Sequence, residues 1–172
     1  FEKMLYDNAL LVQLYVHAFQ ATGNPLYRRI VEETLDYVVR EMTDSEGGFY
    51  SAQDADSEGV EGKFFVWRPE EIIDVLGKPD GELVNSYYGV TREGNFEGLS
   101  ILHVAEDGRS VAGRDGTSDG EFEDLLSRSR AKLLEARNGR VAPGLDDKVL
   151  SAWNGLMMRA FAEAGGALGR SD

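Results

Sequence analysis

From about Met4 to Phe19 the chain is apolar almost all round, carrying Leu5, Ala9, Leu10, Leu11, Val12, Leu14, Tyr15, Val16 and Phe19. A helix with so little polar face is buried on most sides. Gly23–Pro25 stops it. Asn24 is a competent N-cap, and Pro25 suits the first position of a second helix. That helix places Leu26, Ile30, Val31, Leu35, Val38 and Met42 on one face and Arg28, Arg29, Glu32, Glu33 and Asp36 on the other, so one side meets water. A buried helix followed by an amphipathic one predicts an inner–outer helical hairpin.

Two β-type runs follow, "GGFYSAQ" and "GKFFVW", joined by an acidic loop. They predict a β-hairpin over about residues 48–67. Pro69 opens a short helix that Gly77 ends, and "GELVNSYYGV" reads as another. "TREGNFEGLSILHVA" reads as a loop and a brief extended run. Residues 106–120 are polar and glycine-rich and read as an exposed loop. Phe122, Leu125, Leu126, Leu133 and Leu134 mark a helix from about Gly120 to Arg137. Asp146 or Asp147 caps a final, strongly apolar helix. "NALLVQLYVHA" from Asn8 and "NGLMMRAFAEA" from Asn154 echo one another, which suggests equivalent seats in a repeated array or simply two buried helices. The opening residues read as a helix in mid-flow, and the closing "GGALGRSD" stops just after one, as in a piece of a longer protein.

Composition narrows the function. The 172 residues are 42% hydrophobic, enough for a real core. The net charge of -13 repels nucleic acid and anionic lipid, so neither is an expected partner. No apolar run reaches the ~18 residues of a membrane span. With no cysteine there is no disulfide, thiolate metal site or Cys nucleophile in this piece. A cytoplasmic location and no cofactor are the expectations.

The phrases "FEKMLYDNALL", "GGFYSAQDADSEGVEGKFFVW" and "DDKVLSAWNGLMM" resemble signature stretches of the thioredoxin-domain-containing family that includes spermatogenesis-associated protein 20. The resemblance covers essentially the whole chain. It implies a mainly α fold: part of an (α/α) toroid of antiparallel helical hairpins with one inserted β-hairpin, like that of N-acylglucosamine 2-epimerases and six-hairpin glycosidases. Residues 1–172 would be a fragment of that toroid, without the thioredoxin-like domain that family members carry. No firmly established reaction comes with the resemblance; carbohydrate chemistry is its suggestion, and fold analogy alone does not give function.

Three polar clusters are the candidate chemistry. In the acidic loop, Asp54, Asp56, Glu58 and Gly59 match the first half of an EF-hand loop, but Phe65 stands where the bidentate carboxylate belongs. No metal site is expected, and the plain alternative is that the acids serve a turn. Tyr6, Asp7 and Asn8 are a polar triplet at the start of the first helix, as caps or as ligands. Asp146, Asp147 and Lys148 precede the last helix, where Asp ordinarily caps and complements the dipole. Trp153 is a core residue or a platform for a sugar ring. His17 and His103 lack metal-ligand spacing and read as structural.

If the toroid holds, these clusters converge. Asp54, Asp56, Asp146 and Asp147 are then the candidate catalytic acids. Tyr6, Asp7, Asn8, Gln53, Lys148, Trp153 and Asn154 are the candidate substrate contacts. Glycosidic cleavage needs two carboxylates ~5–5.5 Å apart for retention or ~6.5–9.5 Å for inversion. Epimerisation would more naturally use a His base. The expected partners are a small carbohydrate and, for the isolated piece, a second copy. The alternative function is a non-catalytic binding or scaffold module serving an attached thioredoxin-like domain.

Overall fold

The structure, a computed structural model, describes residues 1–169, so the last three residues of the closing "GGALGRSD" lie outside it. In chain order the elements are β1 (Lys3–Met4), α1 (Leu5–Thr22), α2 (Pro25–Glu41), β2 (Ala52–Gln53), β3 (Asp56–Ser57), β4 (Val60–Glu61), α3 (Pro69–Leu76), α4 (Lys78–Tyr87), α5 (Gly108–Asp115), α6 (Asp119–Asn138), β5 (Leu145–Asp146) and α7 (Ser151–Leu168). The described chain is mainly helical, with a small β-hairpin. The described residues form two compact units: residues 1–56 with 143–169, and residues 57–142.

In the first unit α1 and α2 form the expected hairpin. Gly23 closes α1 at φ 67°, and Asn24 Oδ1 accepts from Leu26 N to start α2 at Pro25. Helix α7 packs along α1 and runs parallel to it. Tyr6 meets Trp153 edge-to-face at 4.8 Å, Gln13 Nε2 donates to the Leu156 carbonyl at 3.4 Å, and His17 Nε2 stands 3.1 Å from Glu163 Oε2. Leu5, Val12 and Val16 of α1, Val31, Leu35 and Val38 of α2, and Met157 and Ala160 of α7 make the core. Each fully buried Val or Leu contributes about 1.5–3 kcal/mol. Ala160 and Ala164 allow α7 to approach closely.

The echo between the two apolar helices is structural. Each runs 18 residues, begins on a residue whose side chain makes no cap hydrogen bond, and ends on a left-handed glycine, Gly23 or Gly169. In each, the fourth residue is an asparagine whose Nδ2 donates one turn back: Asn8 to Met4 O, Asn154 to Leu150 O.

The β-structure corrects the expectation. Ala52–Gln53 pairs with β1 on one side and β5 on the other, both antiparallel, making a three-stranded sheet. The hairpin is shorter than 48–67: β3 pairs with β4 around Glu58 and Gly59, both at positive φ, as a primed two-residue turn requires. "GKFFVW" is not a strand. Its backbone turns instead: the N–H groups of Phe65 and Val66 both donate to Gly62 O, at 2.8 and 3.2 Å. The carbonyls a partner strand would take accept instead from Arg140, Phe64 O at 3.1 Å and Val66 O at 2.7 Å, while the guanidinium stacks 4.1 Å over Trp67.

The rest of the second unit packs α3, α4, α5 and α6 around Ile72, Val84, Tyr87, Phe122 and Leu126. The expected loop at 106–120 contains α5. Asp107 caps it, Gly116 closes it at φ 74°, and Val111 and Ala112 are buried. Gly108 and Gly116 mark the ends of a helix rather than its absence. No helix among the described residues is long and apolar enough to cross a membrane.

Candidate functional site

The sheet of the first unit positions the site. Its pairings set Met4, Ala52 and Asp146 in one cross-strand row and Lys3, Gln53 and Leu145 in the next. Met4, Ala52 and Asp146 line a cavity of about 560 Å³, together with Glu2, Ser51, Asp54, Gly144, Leu145, Lys148, Leu150 and Trp153. Met4 and Leu150 are also the N-caps of α1 and α7, so the cavity opens at the N-terminal ends of the two parallel helices.

Asp54 is held by its neighbours. Its N–H donates to Gly144 O at 2.8 Å, and its Oδ1 accepts from Asp56 N at 3.2 Å. Asp146 Oδ2 receives Lys148 Nζ at 2.9 Å, and its carbonyl accepts from both the N–H and the hydroxyl of Ser51 at 3.1 Å. The hydrogen bond from Lys148 is the main cause that holds the Asp146 carboxyl below the ordinary aspartate range. Mutual repulsion among gathered carboxylates would have raised an aspartate toward proton donation. At Asp146 the shift runs the other way, which suits a standing negative charge.

Trp153 is half-buried, with Tyr6 against it edge-on, so the indole plane is fixed in the cavity wall. The cavity combines a rigid aromatic surface, two aspartates from separate chain segments and an ammonium group. That set can stack a flat ligand and bond its hydroxyls.

No protein-family model matches the chain. Spermatogenesis-associated protein 20 of Homo sapiens is 36% identical over 195 aligned positions, covering 99% of this chain and 25% of the relative. That of Mus musculus is 37% identical, with 98% and 25% covered. An uncharacterized protein of Caenorhabditis elegans is 29% identical over 95% of the chain and 26% of its own length. The chain belongs to the spermatogenesis-associated protein 20 family. It spans about a quarter of the length of the curated relatives it matches.

Of the residues singled out in this family segment, Asp54, Asp146, Lys148 and Trp153 line the cavity, with Tyr6 behind the indole. Asp56 and Asp147 are exposed and do not line it. Asp147 and, more strongly, Asp44 bear on the Tyr50 hydroxyl, whose pKa is raised first by desolvation and then by these charges. Asp7 is exposed and Asn8 caps back to Met4, neither lining the cavity. Gln53 is buried in the adjacent row, accepting from the Tyr37 hydroxyl at 3.1 Å. Asn154 is buried and bonded to the backbone of Phe49. Sequence reasoning missed Glu2 and Ser51. The acidic Glu2 precedes a strand of only two residues, too short for any periodicity to announce.

Proposed function

We propose that this segment belongs to an (α/α) toroid of helical hairpins, and that the cavity at the N-terminal ends of α1 and α7 binds a sugar. The matched lengths, caps and parallel seating of α1 and α7 support the repeated array. The observation that carries the sugar reading is the meeting of Asp54, Asp146 and the fixed Trp153 indole in one cavity. Trp153 supplies the flat apolar face for the ring, and Asp54 accepts from ring hydroxyls.

Asp146, ionised and paired to Lys148, is a poor proton donor, and we read it as a binding group. This reading makes the module a non-catalytic binding one that would serve an attached thioredoxin-like domain. Titration with a panel of monosaccharides, followed at the Trp153 indole N–H by NMR, tests it. A saturable shift that Trp153→Ala abolishes and Asp54→Asn weakens is expected. No shift with any sugar overturns it.

A further inference from the structure

The charges around the cavity do not cancel. Glu2, Asp54 and Asp146 line it on the acidic side and Lys148 on the basic side. Lys148 is already paired with Asp146 at 2.9 Å, and it neutralises that carboxylate alone. Asp54 Oδ1 accepts only a backbone N–H, and no ion pair joins Asp54 or Glu2 to a cation among the described residues. Two opposing contributions come from the helices. The N-termini of α1 and α7 each present about half a positive charge toward this end. That offsets roughly one of the two uncompensated carboxylates and leaves the cavity negative. The net charge of -13 adds to the same sign.

We infer that the ligand of this cavity is cationic: a sugar or polyol bearing a protonated amine, whose ring lies on Trp153 and whose ammonium sits toward Asp54 and Glu2. The inference rests on the sugar reading above and adds the charge of the substrate class. Neutral sugars keep the stacking contact but leave the carboxylates unanswered. Uronates and sugar phosphates place like charge against them and are excluded. Lys148 sets how strong the preference is, because it withholds Asp146 from the ligand.

The test compares glucosamine, glucose, glucuronate and ethylamine on the chain, reading the Trp153 indole N–H at low salt and again at high salt. Glucosamine should bind about fivefold tighter than glucose, the ratio a partly exposed ion pair supports. Glucuronate should not bind, and added salt should erase the advantage. Asp54→Asn keeps an oxygen for the Asp56 N–H, so the turn survives while the preference for glucosamine falls. Glu2→Gln should lower it too. Lys148→Gln frees Asp146 and should raise it, a gain that a general loss of folding does not produce. Equal binding of glucose and glucosamine overturns the charge inference and leaves the sugar reading intact. Ethylamine matching glucosamine overturns the sugar reading and leaves the charge inference intact. Silence from all four compounds overturns both.

Discussion

Asn154 holds the backbone of Phe49 through both ends of its amide. Its Oδ1 accepts from Phe49 N at 2.7 Å, and its Nδ2 donates to Phe49 O at 2.9 Å. The side chain thus does for Phe49 what a neighbouring strand would do, and it ties α7 to the segment that leads into β2. The Phe49 ring then stacks on Phe161 at 5.5 Å. Asn154 fastens α7 to the segment before β2 and does not itself line the cavity.

Asn154→Ala should therefore cost about 1–3 kcal/mol, because it strands a backbone donor and acceptor away from water. Asn154→Asp keeps the acceptor but sets a carboxylate against Phe49 O. That variant should gain stability on acidification, as the protonated carboxyl regains a donor. Urea denaturation at two pH values measures both, and a flat pH response for the Asp variant would contradict this account.

One substitution should have opposite signs in two helices. A Cβ at Gly81 would lie 2.8 Å from the Ile73 Cα, so Gly81→Ala must push α3 and α4 apart. Its cost of about 1–3 kcal/mol outweighs a propensity gain of about 1 kcal/mol. Gly155 and Gly166 in α7 have open space around the added carbon, so Ala at either should stabilise by about 0.5–1 kcal/mol. Thermal unfolding of the three variants decides it.

Legibility in the sequence followed the length of each signal. The helices α1, α2 and α7 carry four or more turns of apolar residues with Asn24–Pro25 and terminal glycines as punctuation, so they could be read. The sheet could not, since its strands are two residues long and pair across the whole chain. The same shortness hid which acid belongs to the site. Asp146 and Asp147 are adjacent and chemically alike, yet only Asp146 lies in β5, opposite Ala52, and lines the cavity. Trp153 was readable as a choice between core and platform, and its half-buried place in the cavity wall joins the two.

The Asp146–Lys148 pair should be visible in the pH dependence of stability. The folded carboxyl titrates below its unfolded value, so its contribution is fully present above the unfolded pKa of about 3.9. It is lost as pH falls through the lower folded pKa. In Lys148→Met the Asp146 carboxyl should titrate closer to the ordinary range, and the acid limb of the stability curve should become shallower. Carboxyl-carbon NMR titration gives the first result directly; an unmoved Asp146 titration would show that Lys148 is not its main support.

Helices α1 and α7 each leave one face open, and the faces match. Leu11, Leu14 and Ala18 hold in α1 the positions, counted from the helix start, that Met157, Ala160 and Ala164 hold in α7. In α7 those residues are buried beside α1 in the shared core; in α1, Leu11 and Leu14 are 47% and 59% exposed. Conversely, Val12 of α1 is buried in that core, while its equivalent in α7, Met158, is 61% exposed. A second copy can therefore seat its Met158 face on the Leu14 face of the first and repeat the contact already made within the chain. Such a contact is head-to-tail, so it extends rather than stopping at two unless a ring closes. The chain should self-associate with concentration in sedimentation velocity. Leu14→Lys and Met158→Lys change exposed positions, so each variant should fold. Neither should associate alone with its own damaged face. Mixed, they should give a dimer and nothing larger, because one intact face remains on each. A chain that stays monomeric at every concentration, or a mixture no larger than its components, would refute the match of the two faces.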